Sequence, residues 1–345
     1  MPEESVQHIN FDELNRKAIS QPLIKHIYTA DPSAHVFNGK IYIYPSHDID
    51  AGEAFDDLGS HFDMQDYHVI SMDSPTAEAK DNGVALHVKD VPWAKKQMWA
   101  PDATEKDGKY YLFFPAKDHE GIFRIGVAIS DSPVGPFKAQ PQAIQKSFSI
   151  DPAVFKDDDG SYYMYFGGIW GGQLQRWRTG NFNAAHPESP TAHLPKDDEP
   201  ALCAKVAKLT DDLLEFAEDA KDLVIVDEHG KALLQGDNER RFFEASWMHK
   251  YNGKYYFSYS TGDTHLICYA IAENPYGPFV YQGVILNPVV GWTSHHSIVE
   301  VDGKWYLFYH DSTLSQGVTH LRSIKVTPLE HQEDGTIKTI DPYKK

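Results

Sequence analysis

Cysteine is scarce in this chain, because Cys203 and Cys268 are the only two among 345 residues. They lie far apart in the sequence, so no disulfide framework is indicated, and two small core thiols are the simpler expectation. Long apolar runs are also missing. No stretch approaches the roughly 18 apolar residues that a membrane-spanning helix needs. A membrane protein is therefore not expected.

Positive charge is in short supply as well. The chain has 32 Lys and Arg against 50 Asp and Glu, which gives a formal net charge of −18. Such a balance argues against nucleic acid or an acidic membrane surface as a partner. The first residues, "MPEESVQHINFDELNRK", are acidic and polar and contain no apolar segment. No signal peptide is predicted from them, and a cytoplasmic location is expected.

Helical periodicity is nearly absent, and 209–219 ("LTDDLLEFAED") is the one stretch that fits a short helix, or else a turn. Phosphate-loop, His-Glu-x-x-His and Cys-x-x-Cys motifs are lacking too. Aromatic residues, in contrast, make up 13% of the chain. They favour strands and surfaces that contact carbohydrate.

One hairpin pattern occurs five times, with copies that begin near residues 31, 101, 151, 244 and 295. Each copy has a polar opening residue, a short strand, an Asn-Gly or Asp-Gly turn and an aromatic-rich strand. A third strand follows several copies, as in "FRIGVAISDSPVGPF" and "HLICYAIAENPYGPF". Five such units predict an all-β fold, a single five-bladed β-propeller over residues 1–345. The polar, Pro-rich stretch 178–200 is predicted to be an insertion loop within the third blade.

The first strand of each propeller blade lines the central channel, so the opening residues of the five copies are expected to converge. They are Asp31, Asp102, Asp151, Glu244 and His295. Folding does not require such a cluster, because converging carboxylates repel one another and raise one another's pKa. Arrays of this kind are typical of sites that transfer protons.

Five ordered stretches carry a resemblance to a known family. They are "ADPSAHVFNGKIYIYPSHD", "MWAPDATEKDGKYYLFF", "SIDPAVFKDDDGSYYMYFGGIWGGQLQ", "FFEASWMHKYNGKYYFSYSTGD" and "GWTSHHSIVEVDGKWYLFYHD". Together they span residues 25 to 330 approximately. The chain resembles the family 43 glycoside hydrolases, and most of all their single-domain β-xylosidase and α-L-arabinofuranosidase branch.

The resemblance implies a role for four of the five opening residues. Asp31 matches the general base that activates water, and Glu244 matches the general acid. Asp151 matches a third carboxylate that orients the acid and tunes its pKa. His295 matches a residue that binds Ca²⁺, directly or through water, in many relatives. Asp102 is expected to act only as a hydrogen-bonding residue.

Four more residues are candidates for substrate binding. Arg322 matches the arginine that holds the substrate near the base. Trp99 and Trp170 resemble walls on which a sugar stacks, and His296 is a further candidate contact.

The activity implied is that of an inverting exo-glycosidase that releases terminal xylose from xylo-oligosaccharides, with some action on α-L-arabinofuranosides. An endo-arabinanase on the same fold and a non-catalytic carbohydrate-binding propeller are the alternatives. The sequence does not distinguish xylose from arabinose.

The last blade is predicted to end near residue 327, which leaves too few residues for the C-terminal β-sandwich that many family xylosidases carry. Residues 178–200, or a second subunit of a homo-oligomer, are then expected to close the pocket.

Overall fold

The computed structural model describes residues 9–344. The N-terminal stretch that underlies the signal-peptide prediction begins outside these residues. The regular structure in the described part is almost entirely β, with one short helix, α1 (Phe11–Lys17), before the first strand. No helix in residues 9–344 is long and apolar enough to cross a membrane.

Within residues 9–344, twenty-one strands form five separate sheets. Blade I contains β1 (Tyr28–Phe37), β2 (Lys40–Asp48), β3 (Asp66–Met72) and β4 (Lys80–His87). Blade II contains β5 (Ala94–Lys96), β6 (Asp102–Lys106), β7 (Lys109–Asp118), β8 (Phe123–Ser130) and β9 (Lys138–Ala139). Blade III contains β10 (Ala153–Lys156), β11 (Tyr162–Phe166), β12 (Ala204–Lys208) and β13 (Lys221–Leu223). Blade IV contains β14 (Ile225–Val226), β15 (Glu244–Tyr251), β16 (Lys254–Ser260), β17 (Ile267–Ala272) and β18 (Phe279–Leu286). Blade V contains β19 (His296–Val301), β20 (Lys304–Asp311) and β21 (Ser323–Leu329).

The innermost strands of the five blades form a closed ring. β1 contacts β6, β6 contacts β10, β10 contacts β15, β15 contacts β19, and β19 contacts β1 again. This arrangement confirms the predicted five-bladed propeller. Each innermost strand pairs with the next strand of its blade in an antiparallel hairpin. In four of these hairpins the Asn-Gly or Asp-Gly turn has a positive φ at both residues, as a tight two-residue turn requires.

The two ends of the described chain pack against the last blades. Before β1, Leu23 donates its backbone N–H to the carbonyl of Ile324 at 2.9 Å, which places this segment beside β21 and ties blade V to blade I. After β21, Ile340 donates to the carbonyl of Ile285 at 2.7 Å, and Ile337 donates to the hydroxyl of Tyr269. The described residues after β21 therefore pack on the propeller and form no further sheet.

Apolar side chains fill the spaces between adjacent blades. Phe113, Met164 and Phe166 are fully buried between blades II and III, and Phe257 and Phe279 belong to the largest cluster, which spans blades III to V. Burial of one such side chain contributes about 1.5–3 kcal/mol. This packing fixes the relative positions of the five innermost strands, and with them the residues at their ends.

The insertion 178–200 lies between β11 and β12 and contains no strand. The buried guanidinium of Arg176 holds the backbone of the insertion in place. It donates to four carbonyls at 2.9–3.3 Å, those of Asn183, Ala185, His186 and Ser189. Residues 209–219 form turns and no helix. There Thr210 bonds to Asp212 and to the backbone of Glu215, so local hydrogen bonds replace helical ones.

Candidate active site

A cavity with about 690 Å³ of empty space, its open mouth included, lies where the innermost strands begin. All five blades contribute to its lining. The predicted residues in it are Asp31, Trp99, Asp151, Trp170, Glu244, His295 and Arg322. The structure thus brings seven of the eight predicted site residues together around one space.

The backbone at all three predicted catalytic carboxylates is unusual. Asp31 and Asp151 have φ of 50° and 55°, and Ala245, directly after Glu244, has φ of 64°. For residues other than glycine, this left-handed conformation costs on the order of 1–3 kcal/mol. The ladders of β1 and β15 are also shifted there, between Ala30 and Ser33 and between Glu244 and Trp247. Such bulges redirect side chains, and here they lie where the carboxylates enter the cavity.

Asp31 is held as a carboxylate. Ser46 donates to its Oδ2 at 2.7 Å, and Arg322 donates to its Oδ1 at 2.9 Å. Burial acts to raise the pKa of Asp31, but the charge of Arg322, with smaller contributions from His295, His310 and Ser46, outweighs it and lowers the pKa to about 2. Asp31 is therefore ionised throughout the neutral range, as a general base must be.

Arg322 is fixed by a second carboxylate that the sequence analysis did not identify. Asp48 accepts from Nε and Nη2 of Arg322 at 2.8 Å each, and also from its backbone N–H at 2.9 Å. This bidentate contact leaves Nη1 of Arg322 free to donate to Asp31 and to the hydroxyl of Thr293. Asp48 ends the first copy of the repeat, in "YPSHD", and its position at a strand end was the available signal.

His310 supports Asp31 from the other side. Its Nδ1 accepts the backbone N–H of Asp31 at 3.0 Å, so the ring proton is on Nε2, which faces the carbonyl of Thr293 at 3.1 Å. Burial and the nearby Arg322 lower the pKa of His310 to about 3. The imidazole is therefore neutral, and it positions the backbone of Asp31 without competing for a proton.

Asp151 and Glu244 form a second pair with the opposite electrostatics. Burial, and then the charge of Asp31, raise the pKa of Glu244 to about 8. Burial and the charge of Glu244 raise the pKa of Asp151 well above its usual range. The backbone N–H of Ala245 donates to Asp151 at 2.8 Å, which acts to lower the pKa of Asp151 but does not outweigh burial and the charge of Glu244.

His295 is buried, and its two ring nitrogens have different surroundings. Nδ1 accepts the backbone N–H of His296 at 2.8 Å, so the proton is on Nε2. Nε2 has no hydrogen-bond partner in the described chain, and the oxygen Oδ2 of Asp151 is 3.7 Å away. In this tautomer Nε2 has no lone pair for a metal ion, and Ca²⁺ prefers oxygen ligands. The site fits a hydrated cation beside the ring and does not fit direct ligation by His295.

Aromatic rings form the walls of the cavity. Trp99 is anchored by its Nε1, which donates to the carbonyl of Phe62 at 2.7 Å. Trp170 lies in a 3₁₀-helix, Trp170–Gly172, and packs edge-on against Phe243. Trp292 and Phe243 also line the cavity but were not predicted. The sequence feature that could have identified them is their closeness to predicted site residues. Trp292 precedes His295 by three residues, and Phe243 directly precedes Glu244.

One side of the cavity is closed by the loop between β2 and β3, residues 49–65, here named the pocket loop. Its Gly59 has φ of 74°, and a Cβ there would lie 2.8 Å from the Trp99 ring. The carbonyl oxygen of Leu58 in this loop lies against Gly171 of blade III. A Cβ added to Gly171 would lie only 2.4 Å from that oxygen. Residues 178–200, which were expected to close the pocket, do not appear in its lining. The repeat gave no indication of this role because the pocket loop lies outside the repeated hairpins.

Two residues lie away from the cavity. His296 is fully buried, bonds through Nε2 to Ser258 at 2.6 Å and does not line the cavity, so its predicted substrate contact gains no support. Asp102 was expected to face the same pocket, and this was wrong. Its oxygens are used by the ring of His35 at 2.6 Å and by the backbone N–H groups of Ala103 and Val154, so it joins blades I, II and III.

Comparison with known protein families gives a match over nearly the whole chain. The family model described as glycosyl hydrolases family 43 matches residues 19–337. The chain belongs to this family. It is therefore a glycoside hydrolase, which confirms the resemblance found in the sequence.

Characterised relatives have similar lengths. A xylosidase/arabinosidase from Humicola insolens is 61% identical over 328 residues, covering 93% of this chain and 99% of the relative. A β-xylosidase from Xylanibacter ruminicola is 58% identical over 315 residues, covering 91% of this chain and 97% of the relative.

Solved structures give the same result. A family 43 β-xylosidase/α-arabinofuranosidase from a compost microbial metagenome, solved with xylotriose in a calcium-free form, has a TM-score of 0.92 and 68% identity, covering 94% of this chain and 98% of that one. A family 43 enzyme from Xanthomonas citri, solved with xylose, has a TM-score of 0.91 and 58% identity and covers 96% of both chains.

Proposed function

We propose that this enzyme releases terminal xylose from xylo-oligosaccharides by inversion and that it also accepts α-L-arabinofuranosides. The observation that carries the proposal is the opposite charge state of two carboxyl groups in one cavity. The pKa of Asp31 is lowered to about 2, and the pKa of Glu244 is raised to about 8. Glycoside hydrolysis requires one ionised base and one protonated acid at the same pH.

The base half of the reaction belongs to Asp31. Its carboxylate takes a proton from a water molecule as that water attacks the anomeric carbon. Arg322 and Ser46 hold the carboxylate in place, and Arg322 itself is fixed by Asp48. Because two side chains restrain the carboxylate of Asp31 and one of them is itself fixed, little reorganisation is needed when the water is activated.

The acid half belongs to Glu244. Within residues 9–344 the carboxyl group of Glu244 neither donates nor accepts a side-chain hydrogen bond, so its proton is available to the leaving oxygen. Burial and the charge of Asp31 favour the protonated form before the reaction, and Asp151 is proposed to orient the acid. Acid and base come from blades IV and I, so attack and departure are proposed to occur on opposite faces of the sugar, as inversion requires.

The closed side of the cavity favours an exo enzyme over an endo-arabinanase. The pocket loop contacts blade III at Leu58 and Gly171, so the sugar chain is blocked in that direction. Trp99, Trp170 and Trp292 stand around the remaining space. A terminal pentose fits such a space, whereas an internal unit of a long chain needs a groove open at both ends. The xylosidase names of the relatives support the same choice.

For calcium, we propose a hydrated ion beside His295. The calcium-free description of one solved relative supports this, as does the unpaired Nε2 of His295. When bound, the ion supplies positive charge that offsets part of the field of the carboxylates. Asp31 and Glu244 carry out both proton transfers themselves.

The stereochemical course tests the proposed mechanism. Proton NMR of freshly hydrolysed 4-nitrophenyl β-D-xylopyranoside is expected to show α-xylose first, and initial release of β-xylose would contradict it. Rates on this substrate and on 4-nitrophenyl α-L-arabinofuranoside, compared under one condition, then establish the preferred sugar.

A further inference from the structure

Three side chains of types that ligate metals meet between the two middle strands of blade I, and none of them lines the catalytic cavity. They are His47 near the end of β2 and Asp66 and His68 at the start of β3. One potential ligand atom from each lies within 4.8 Å of the other two. We infer that His47, Asp66 and His68 form a binding site for a divalent transition-metal ion of the Zn²⁺ class.

The strand geometry puts the three residues on one face. Asp66 and His68 are two positions apart on β3, so their side chains point the same way. The ladder pairs Ile41 with Met72 and Ile43 with Ile70. Continued along the strands, this register sets His47 opposite Asp66. The next residue on β2, Asp48, points to the other face, where it binds Arg322.

The distances suit a small ion after a minor adjustment. His47 Nδ1 lies 2.5 Å from Asp66 Oδ1, and the rings of His47 and His68 have centroids 4.5 Å apart. Ligands at 2.0–2.1 Å in a tetrahedral zinc site are separated by about 3.3 Å. The His47–Asp66 pair therefore has to open by less than 1 Å, and the ligand atom of His68, which lies within 4.8 Å of the other two, has to approach by at most about 1.5 Å.

Asp81 prepares His68 for this role. It accepts a hydrogen bond from Nδ1 of His68 at 2.8 Å, which leaves the lone pair of Nε2 for a metal. Asp81 is itself fixed by the backbone N–H of Gly83 at 2.8 Å and by His26 at 3.0 Å. A carboxylate on the far nitrogen of a histidine ligand is a recurrent feature of metal sites. If His47, Asp66 and His68 formed only surface ion pairs, no carboxylate would be needed to hold the far nitrogen of His68.

The ligand types determine which metal binds. Two imidazoles and one carboxylate suit Zn²⁺ and related ions, whereas Ca²⁺ takes six to eight oxygen ligands. The side chains of His47, Asp66 and His68 are 16%, 17% and 11% exposed. Solvent thus reaches the site, and a water molecule is expected as the fourth ligand.

The position of the site gives it a structural effect. His47 lies two residues before the pocket loop, 49–65, and Asp66 directly follows it. A metal ion that joins them closes this loop at its base and lowers the entropy of its open states. The same loop forms one side of the catalytic cavity through Gly59 and Phe62. Metal binding is therefore expected to rigidify that side.

Direct metal binding tests the inference. Chelator-treated protein carrying His295→Ala, which removes the other candidate cation site, is dialysed to equilibrium against ZnCl₂ and then assayed by elemental analysis. One Zn²⁺ per chain is expected, and CaCl₂ in excess should not displace it. Adding Asp66→Asn or, separately, His68→Gln should abolish binding. Adding Asp81→Asn should weaken it by about 10–100-fold.

The matched control is His26→Gln, which removes a partly exposed partner of Asp81 without touching the three ligands. It should retain full Zn²⁺ stoichiometry. Circular dichroism of each variant verifies that the fold is intact, and two independent ligand variants guard against misfolding of one. Absence of Zn²⁺ from the parent protein would overturn the inference, as would unchanged binding in both Asp66→Asn and His68→Gln.

Discussion

Two carboxyl groups near the channel, the buried one of Asp102 and the partly buried one of Glu244, show how the same chemistry serves structure at one place and, in the proposed mechanism, catalysis at another. Both residues begin an innermost strand. Asp102 receives hydrogen bonds from His35 and from two backbone N–H groups, which join three blades. Glu244 receives none from the described chain, and burial with the nearby Asp31 raises its pKa to about 8. A carboxyl group whose bonding capacity is filled holds the fold together, and one left unfilled keeps its proton for a substrate.

A similar contrast distinguishes the proposed base, Asp31, from the proposed acid, Glu244. Asp31 is also well bonded, but its partners are Arg322 and Ser46, of which one is a cation. That charge lowers the pKa of Asp31 to about 2 against the effect of burial. Within one cavity, therefore, Arg322 keeps Asp31 ionised, whereas burial and the charge of Asp31 outweigh the effect of Arg322 on Glu244 and favour its protonated form.

Replacement of the base should have the largest effect. Asp31→Asn removes the only proposed acceptor for the proton of water, so kcat is expected to fall by about 10²–10⁴-fold. The loss should be equal for xylobiose and for 4-nitrophenyl β-D-xylopyranoside, because both reactions need activated water. Steady-state kinetics on the two substrates measure it. A loss confined to one substrate would show that Asp31 acts elsewhere in the reaction.

Replacement of the acid should give a loss that depends on the substrate and is smaller than that of Asp31→Asn only when the leaving group is good. Glu244→Gln should lower kcat/KM on xylobiose by about 10²–10⁴-fold, because an alkoxide is a poor leaving group without a proton. The loss on 4-nitrophenyl β-D-xylopyranoside should be much smaller, since 4-nitrophenolate leaves readily. Equal losses on both substrates would contradict the assignment of Glu244 as the acid.

Asp102→Asn is the structural counterpart and should have the smallest effect on catalysis. One of its oxygens becomes an amide that cannot accept the bonds now made to it, so a buried donor loses its partner. We expect the free energy of unfolding to fall by about 1–3 kcal/mol, with kcat/KM changed by only a few-fold. Urea unfolding followed by tryptophan fluorescence measures the first and kinetics the second. If folded Asp102→Asn protein lost as much activity as Asp31→Asn, the structural role of Asp102 proposed in contrast to Glu244 would be contradicted.

The sequence was sufficient to predict the propeller and the convergence of the carboxylates, because both follow from a hairpin that repeats in a fixed plan. Residues outside the repeat were missed for the same reason. Asp48 and His310 act on Asp31 from strand ends, and the pocket loop reaches Trp99 and Gly171 from a connection with no regular structure. The error at Asp102 has a related cause, because strand position alone does not reveal which hydrogen bonds a carboxylate makes.

The pH dependence of kcat/KM tests the central claim most directly. Activity requires Glu244 to be protonated and Asp31 to be ionised, so the rate should fall as pH rises through about 8 and should be lost on the acid side only near pH 2, where Asp31 takes up a proton. Measured on 4-nitrophenyl β-D-xylopyranoside, the alkaline fall should be present in the native enzyme and in Asp102→Asn. It should disappear in Glu244→Gln, whose amide does not titrate. Persistence of the same alkaline fall in Glu244→Gln would contradict the account, because the proton would then belong to another group.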